Sequence, residues 1–195
     1  MLSRMGIFLA AVLAMLMTGP PRPRAAEGDR GPVKVLIVHS YHPGFTWTDN
    51  VMEGIDRGLR EAFLTADLHI EYMDAKRFGK PEVRSRFVEL LRAKAGGMDF
   101  PVVITSDNIA LQMVMDARPE LFPRALVVFC GLNGPPEDFI RGRENITGVT
   151  ETWDPVGTLK VIERLQPGVK EIVVLHDHTE SGLGTRSDLE AVRPA

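Results

Sequence analysis

The sequence lacks the features that mark several common classes of protein. It has 195 residues and a single cysteine, Cys130, so no disulfide can form within the chain. Cys130 ends the apolar run "ALVVFC" without a base close in sequence, which favours a small core residue over a nucleophile. The G-x-S-x-G elbow, the P-loop pattern and a G-x-G-x-x-G after the first strand are absent. We therefore expect neither catalysis nor a bound cofactor.

An excess of basic residues is also missing. The chain has 23 Lys and Arg against 26 Asp and Glu, a formal net charge of −3. Residues 1–26 contain arginines and no acid, so the remainder is more acidic still. Because nucleic-acid phosphates require a basic surface, we expect no nucleic-acid partner.

Long hydrophobic runs are confined to the N-terminus. The run "MGIFLAAVLAMLM" (5–17) follows Arg4 and is shorter than the ~20 residues that cross a bilayer, a pattern typical of a secretory signal. We expect residues 1–26 to be a signal peptide or an uncleaved N-terminal anchor, and residues 27–32 a linker. The expected localisation is periplasmic or extracytoplasmic.

From residue 33 onwards, strand and helix patterns alternate. The predicted strands are 33–40, 67–73, 99–108, 124–134, 145–151 and 168–180. The predicted helices are 48–63, 81–95, 109–122, 154–166 and 186–192. The strands are mostly continuous β-branched runs, as in parallel strands covered on both faces. This alternation predicts a three-layer, Rossmann-like α/β fold with a parallel sheet.

Polar and aromatic residues follow the carboxyl ends of these strands. The connections at the amino ends of the strands have no comparable group of polar and aromatic residues. Ligands of open parallel sheets bind at the carboxyl ends. We therefore expect a shared ligand-binding site there. Its candidate residues are Ser40, Tyr41, Trp47, Ser106, Asp107, Asn108, Gly131, Asn133 and Glu151.

Each candidate also has a structural interpretation. Trp47 suits packing of its own loop, and residues 106–108 suit capping of the next helix, although a helix N-terminus also binds carboxylates. Gly131 suits an ordinary turn. Glu151 suits either a solvated charge or a contact to a ligand amine. Residues 74–77, "DAKR", are interpreted as a surface ion pair, with an anion-binding role as the alternative.

Four histidines raise the question of a metal site. His39, His42, His176 and His178 lie after two different strands and would bind zinc if the strands brought them together. Neither pair has a clear third ligand. We expect loop hydrogen bonding and no metal.

Five segments together resemble a known family: "LIVHSYHPGFTWTDNVMEGI", "EYMDAKRF", "ITSDNIAL", "VVFCGLNG" and "NITGVTE". In order and spacing, they look like the ABC-transporter substrate-binding family with the type I periplasmic-binding fold. The most similar branch is the extracytoplasmic sensor region of bacterial histidine kinases and diguanylate cyclases. The resemblance covers the chain from about residue 33 to its end.

The resemblance implies two α/β lobes joined by a hinge, with a small polar organic ligand held non-covalently between them. Residues 33–149 would form the first lobe, and residues 150–195 the hinge and the start of an incomplete second lobe. The implied partner is a membrane histidine kinase or cyclase, or an ABC permease if the protein is the solute-binding component of an importer. Two alternatives of another class stay open: a small hydrolase using Ser106 or His42, and a non-functional gene fragment.

Overall fold

The computed structural model describes residues 31–62, 65–79 and 81–192. The expected signal peptide or anchor, residues 1–26, and most of the linker lie outside these ranges. Among the helices of the described ranges, none is long and apolar enough to cross a membrane.

Five parallel strands form one sheet in the order β2-β1-β3-β4-β5. Their bounds are β1 Val33–His39, β2 Ala66–Tyr72, β3 Val102–Ser106, β4 Leu126–Leu132 and β5 Ile146–Thr150. In the register, His39 at the end of β1 pairs with Tyr72 at the end of β2 and with Ser106 at the end of β3. Three strands therefore end level, and the loops that follow them start at one edge.

In the part of the chain that the structure describes, six helices accompany the sheet. They are α1 Thr46–Glu61, α2 Pro81–Ala95, α3 Asp107–Leu121, α4 Glu137–Ile140, α5 Pro155–Leu165 and α6 Glu180–Val192. The chain runs from β1 to β2, then crosses back past β1 to β3 and continues to β4 and β5. Because such crossovers are right-handed, the reversal places α1 on one face of the sheet and α2 and α3 on the other. The expected three-layer α/β fold is confirmed, and its strand order reverses between β1 and β3.

The main core lies between the sheet and the helices α2 and α3. Leu36, Val103 and Val127 from three adjacent strands are buried there with Leu91 of α2 and Leu111 of α3. Each fully buried aliphatic side chain of this size contributes about 1.5–3 kcal/mol. This packing fixes the strands whose carboxyl ends carry the candidate site.

The helix α1 begins two residues earlier than the sequence predicted. Thr48, where the predicted helix began, is fully buried inside the observed helix. Asp49 accepts a 3.0 Å hydrogen bond from the Gly44 N–H and so closes the turn before the helix. Val51 and Ile55 of this helix are half-buried.

The predicted strand at 168–180 is not formed. Residues 169–177 have no regular structure, and four consecutive apolar side chains there, Ile172 to Leu175, are exposed, with Leu175 at 91%. A strand is stable only beside a partner strand, and no described strand pairs with this segment. The apolar run indicated burial, but the described residues form no second sheet that could bury it.

Candidate functional site

A cavity of about 700 Å³ lies at the carboxyl edge of the sheet, where the strand order reverses. It is bordered by the loops after all five strands and by the helix α6. Five of the nine predicted ligand-binding residues line it. They are Tyr41, Asp107, Asn108, Asn133 and Glu151.

The deepest part of the cavity wall is a pair formed by Tyr41 and Asp107. The Tyr41 hydroxyl donates a 2.7 Å hydrogen bond to Asp107 Oδ2, and both residues are buried. Asp107 Oδ1 accepts a second bond, 3.2 Å long, from the Ile109 N–H in the first turn of α3. The Asp107 backbone has φ 73°, in a region that aspartate tolerates better than most residues. The carboxylate is thus held in one orientation at the helix N-terminus.

Ser40 and Ser106 lie beneath the cavity and not on its surface. The Ser40 hydroxyl donates to the Ser106 carbonyl oxygen (2.9 Å) and accepts from the Ala110 N–H (2.8 Å). Ser106 Oγ lies 2.8 Å from His39 Nδ1. Both serines are fully buried. The Ser40 hydroxyl therefore satisfies the backbone at the start of α3, and the Ser106 hydroxyl bonds to the His39 ring. The predicted ligand contact of the two serines finds no support in the geometry.

His39 is buried together with this serine pair. Its ring stacks on Tyr72 with centroids 5.1 Å apart. Desolvation by burial lowers the pKa of His39 from 6.5 to about 4, and the charge of Asp49 opposes this only in part. His39 is therefore neutral at physiological pH and helps to position Ser106.

Asn108 and Asn133 form a reciprocal pair at the rim. Asn108 Nδ2 donates to the Asn133 carbonyl oxygen (3.0 Å), and Asn108 Oδ1 accepts from the Asn133 N–H (2.8 Å). The Asn108 amide thus joins the start of α3 to the loop after β4. The Asn133 side chain borders the cavity and remains a candidate for ligand contact.

Trp47 and Gly131 pack against each other outside the cavity lining. Trp47 also meets the Tyr41 ring edge-on, with centroids 5.7 Å apart. Gly131 has φ +65°, and a Cβ built on it would lie 2.5 Å from Trp47 Cζ2. This contact matches the packing interpretation of Trp47. The indole packs between Gly131 and the Tyr41 ring and so helps to fix the position of that ring.

The charged residues in the loop after β2 have two different roles: Asp74 and Arg77 form an ion pair, and Lys76 contacts aromatic rings. Arg77 Nε and Asp74 Oδ1 form a 2.8 Å ion pair, as the sequence predicted. Lys76 does not join it. Its ammonium lies 4.8 Å from the centroid of the Tyr41 ring and 5.3 Å from that of Phe45, and the side chain borders the cavity.

The part of the cavity lined by the residues after β5 and by α6 was largely missed in the sequence analysis. Trp153 borders it, and its indole N–H donates a 2.9 Å hydrogen bond to Asp188 Oδ2 of α6. Trp153 lies two residues after Glu151, a proximity that could have indicated it. Asp188 carries no local signal, because it reaches the site only through the fold.

The loop before α6 comes close to Lys76. Hydrogen bonds from Thr179 are the main cause that lowers the pKa of Asp177, and the charge of Lys76 contributes. Residues from the far end of the chain and from the loop after β2 therefore interact electrostatically beside the cavity.

The four histidines do not come together. His39 is buried beside Ser106, whereas His42 Nδ1 lies 3.3 Å from Asp74 Oδ1. His176 and His178 have ring centroids 6.0 Å apart. Within the described ranges, no group of three or more His, Cys, Asp or Glu residues is arranged to hold a metal ion.

Comparison with known proteins finds a similarity among solved structures. No family model and no curated protein matches the sequence. Among solved structures, the chain is similar to a crystal structure described as the ABC domain in complex with L-Trp from Streptococcus pneumonia, with 22% identity and a TM-score of 0.59. The alignment covers 82% of this chain and 52% of that chain, so this chain spans about half of the other's length. At this identity the similarity shows the fold, and it agrees with the periplasmic-binding-like fold expected from the sequence.

Proposed function

We propose that this protein binds a small organic molecule non-covalently in the cavity at the carboxyl edge of its sheet. The observation that carries the proposal is convergence: residues after five different strands line one cavity of about 700 Å³. That volume lies within the usual range of small-molecule sites. The L-Trp named for the structurally similar protein supports the choice of ligand size and makes L-tryptophan the first compound to test.

Binding accounts for the site better than catalysis does. Ser106, the serine proposed for a hydrolase, is fully buried, so a substrate has no access to its hydroxyl. His42 Nδ1 lies 3.3 Å from Asp74 Oδ1, and no hydrogen bond joins His42 to a serine among the described residues. Burial raises the pKa of the Cys130 thiol to about 11, which keeps it protonated and unreactive at neutral pH.

The cellular role we propose is extracytoplasmic sensing for a membrane histidine kinase or cyclase. Support comes from the resemblance of the segment at 40–50 to the sensor branch and from the apolar run at 5–17, which suits export. Delivery of a solute to an ABC permease is the alternative. Fractionation after expression tests the export step: the full chain should reach the periplasm, and a chain lacking residues 1–26 should stay in the cytoplasm.

A thermal-shift screen tests ligand binding. The panel contains amino acids, organic acids and nucleobases, beginning with L-tryptophan. A ligand present at about 100 times its Kd stabilises the folded state by about 2.7 kcal/mol, enough for a clear rise in Tm. The cavity variant Asn133→Ala should reduce the rise for a true ligand, whereas Glu61→Gln, an exposed change on α1, should not.

Two results would contradict the proposal. One is the absence of a shift with every compound. The other is an identical shift in the cavity variant and in its control for every compound that binds. Loss of cooperative unfolding in the untreated protein would instead favour the interpretation as a non-functional fragment.

A further inference from the structure

The cavity is strongly unbalanced in charge. Three carboxylates border it, those of Asp107, Glu151 and Asp188, against the single ammonium of Lys76. These groups come from four separate segments of the chain. The imbalance is therefore a property of the assembled site and not of one acidic stretch.

Two of the three carboxylates are oriented by hydrogen bonds, and none of the three is neutralised by an ion pair among the described residues. Asp107 accepts from the Tyr41 hydroxyl and the Ile109 N–H, and Asp188 accepts from the Trp153 indole, all of which are uncharged donors. None of the three carboxylates belongs to an ion pair formed by the described residues. Their negative charge is therefore directed at whatever occupies the cavity.

The cavity wall already accommodates an ammonium group. Lys76 Nζ lies over the faces of Tyr41 and Phe45 at distances typical of cation–π contacts. Trp153 adds a second aromatic side chain to the lining, on the side of the cavity that includes Glu151. Aromatic faces next to carboxylates are a favourable environment for a cation and an unfavourable one for an anion.

We infer that the ligand of this cavity carries a protonated amine and that Glu151 is its main charge partner. The inference rests on the proposed function, since it concerns the same cavity. Both oxygens of Asp107 are committed to Tyr41 and Ile109. Glu151 is exposed, and no hydrogen bond of its carboxylate to another described residue is seen. It is therefore the carboxylate best able to accept a new donor.

Matched compounds separate the amine from the rest of the ligand. One series consists of L-tryptophan, tryptamine and indolepropionate; a second consists of L-leucine, isoamylamine and isocaproate. Within each series, the second compound retains only the amine and the third only the carboxylate. We expect isothermal titration calorimetry to show that, in at least one series, the amine binds about tenfold or more tightly than the acid.

Two variants assign the effect to residues. Glu151→Gln keeps the shape of the side chain and removes its charge, so it should weaken amine binding by about fivefold or more and leave the acids unchanged or tighter. Lys76→Gln removes a like charge and should tighten amine binding. Glu61→Gln should change neither. Because Glu151 and Lys76 are exposed, unfolding of both variants should match that of the unchanged protein.

The outcomes distinguish this inference from the proposed function. Acids that bind as tightly as the amines, or amine binding that survives Glu151→Gln unchanged, would overturn the inference and leave small-molecule binding intact. In a further outcome, none of these six compounds binds while another compound of the screen does. If that compound lacks a protonated amine, the inference is overturned. If nothing binds at all, both proposals fail.

Discussion

The Tyr41 hydroxyl and Asp107 Oδ2 are 2.7 Å apart, and this hydrogen bond joins the loop after β1 to the first residue of α3. The two residues stand on either side of the point where the strand order reverses. The Tyr41 ring is in turn covered by Lys76 and supported by Trp47. One aromatic side chain thus links the floor of the cavity to two of its loops.

Tyr41→Phe removes this hydrogen bond while keeping the ring. We expect a loss of about 1.5–3 kcal/mol in the free energy of unfolding, because a hydrogen bond to a charged and buried acceptor is among the stronger ones. Urea-induced unfolding measures the loss. Tyr72→Phe is the matched control, since the described residues show no hydrogen bond from its hydroxyl, and it should change stability by less than about 0.5 kcal/mol. Equal losses in both variants would show that Asp107 does not depend on Tyr41.

The sequence predicted where the site lies better than it predicted which side chains face it. Strand ends were readable because β-branched runs stop where polar residues begin, and parallel strands bring those ends to one edge. Ser40 and Ser106 could not be assigned in this way. A serine hydroxyl that caps a helix and one that binds a ligand have the same local sequence signal, and only burial tells them apart.

Contacts between residues far apart in the sequence could be predicted even less well. The bond between Trp153 and Asp188 joins residues 35 positions apart, with no periodicity to link them. The apolar segment at 172–175 has the chemistry of a buried strand, but a strand also needs a neighbour, and local sequence does not report one. These are tertiary effects, which single-sequence patterns do not contain.

His39 gives the protein a pH-dependent stability. The unfolded chain binds a proton at His39 below about pH 6.5, whereas the folded protein resists protonation there until about pH 4. Between these values the proton favours the unfolded state, so stability is complete above pH 6.5 and falls as the pH decreases. We expect His39 to account for a loss of about 2 kcal/mol between about pH 7.5 and pH 5.

Comparison with His39→Asn isolates this contribution. The other histidines are present in both proteins, so the difference in pH dependence belongs to His39. Urea unfolding at the two pH values should show a steeper loss in the unchanged protein. If the variant folds poorly, NMR titration of the His39 ring in the unchanged protein gives the same test, and a normal midpoint near 6.5 would refute the prediction.

Gly131→Ala tests the contact behind the cavity. The substitution adds a Cβ that meets the Trp47 indole, at a backbone φ of +65° that disfavours side chains. We expect a loss of about 1–3 kcal/mol in stability and a shift in Trp47 fluorescence as the indole moves. Gly134→Ala is the control, since its φ is also positive (+86°) but a Cβ would meet nothing within 4 Å. A similar loss in both variants would assign the effect to backbone strain alone.

Asn108→Ala separates the two roles that the sequence left open for this residue. The structure uses both atoms of its amide on the backbone of Asn133, so the variant loses two hydrogen bonds and leaves an N–H and a carbonyl without their partner. At a partly exposed rim, we expect a loss of about 1–2 kcal/mol in the free energy of unfolding. Asn108→Asp is the informative companion, because it retains the acceptor for the Asn133 N–H and loses only the donor. It should recover about half of the lost stability. If Asn108 contacts a ligand instead, both variants would unfold like the unchanged protein and differ from it only in binding, which calorimetry with any compound found in the screen would reveal.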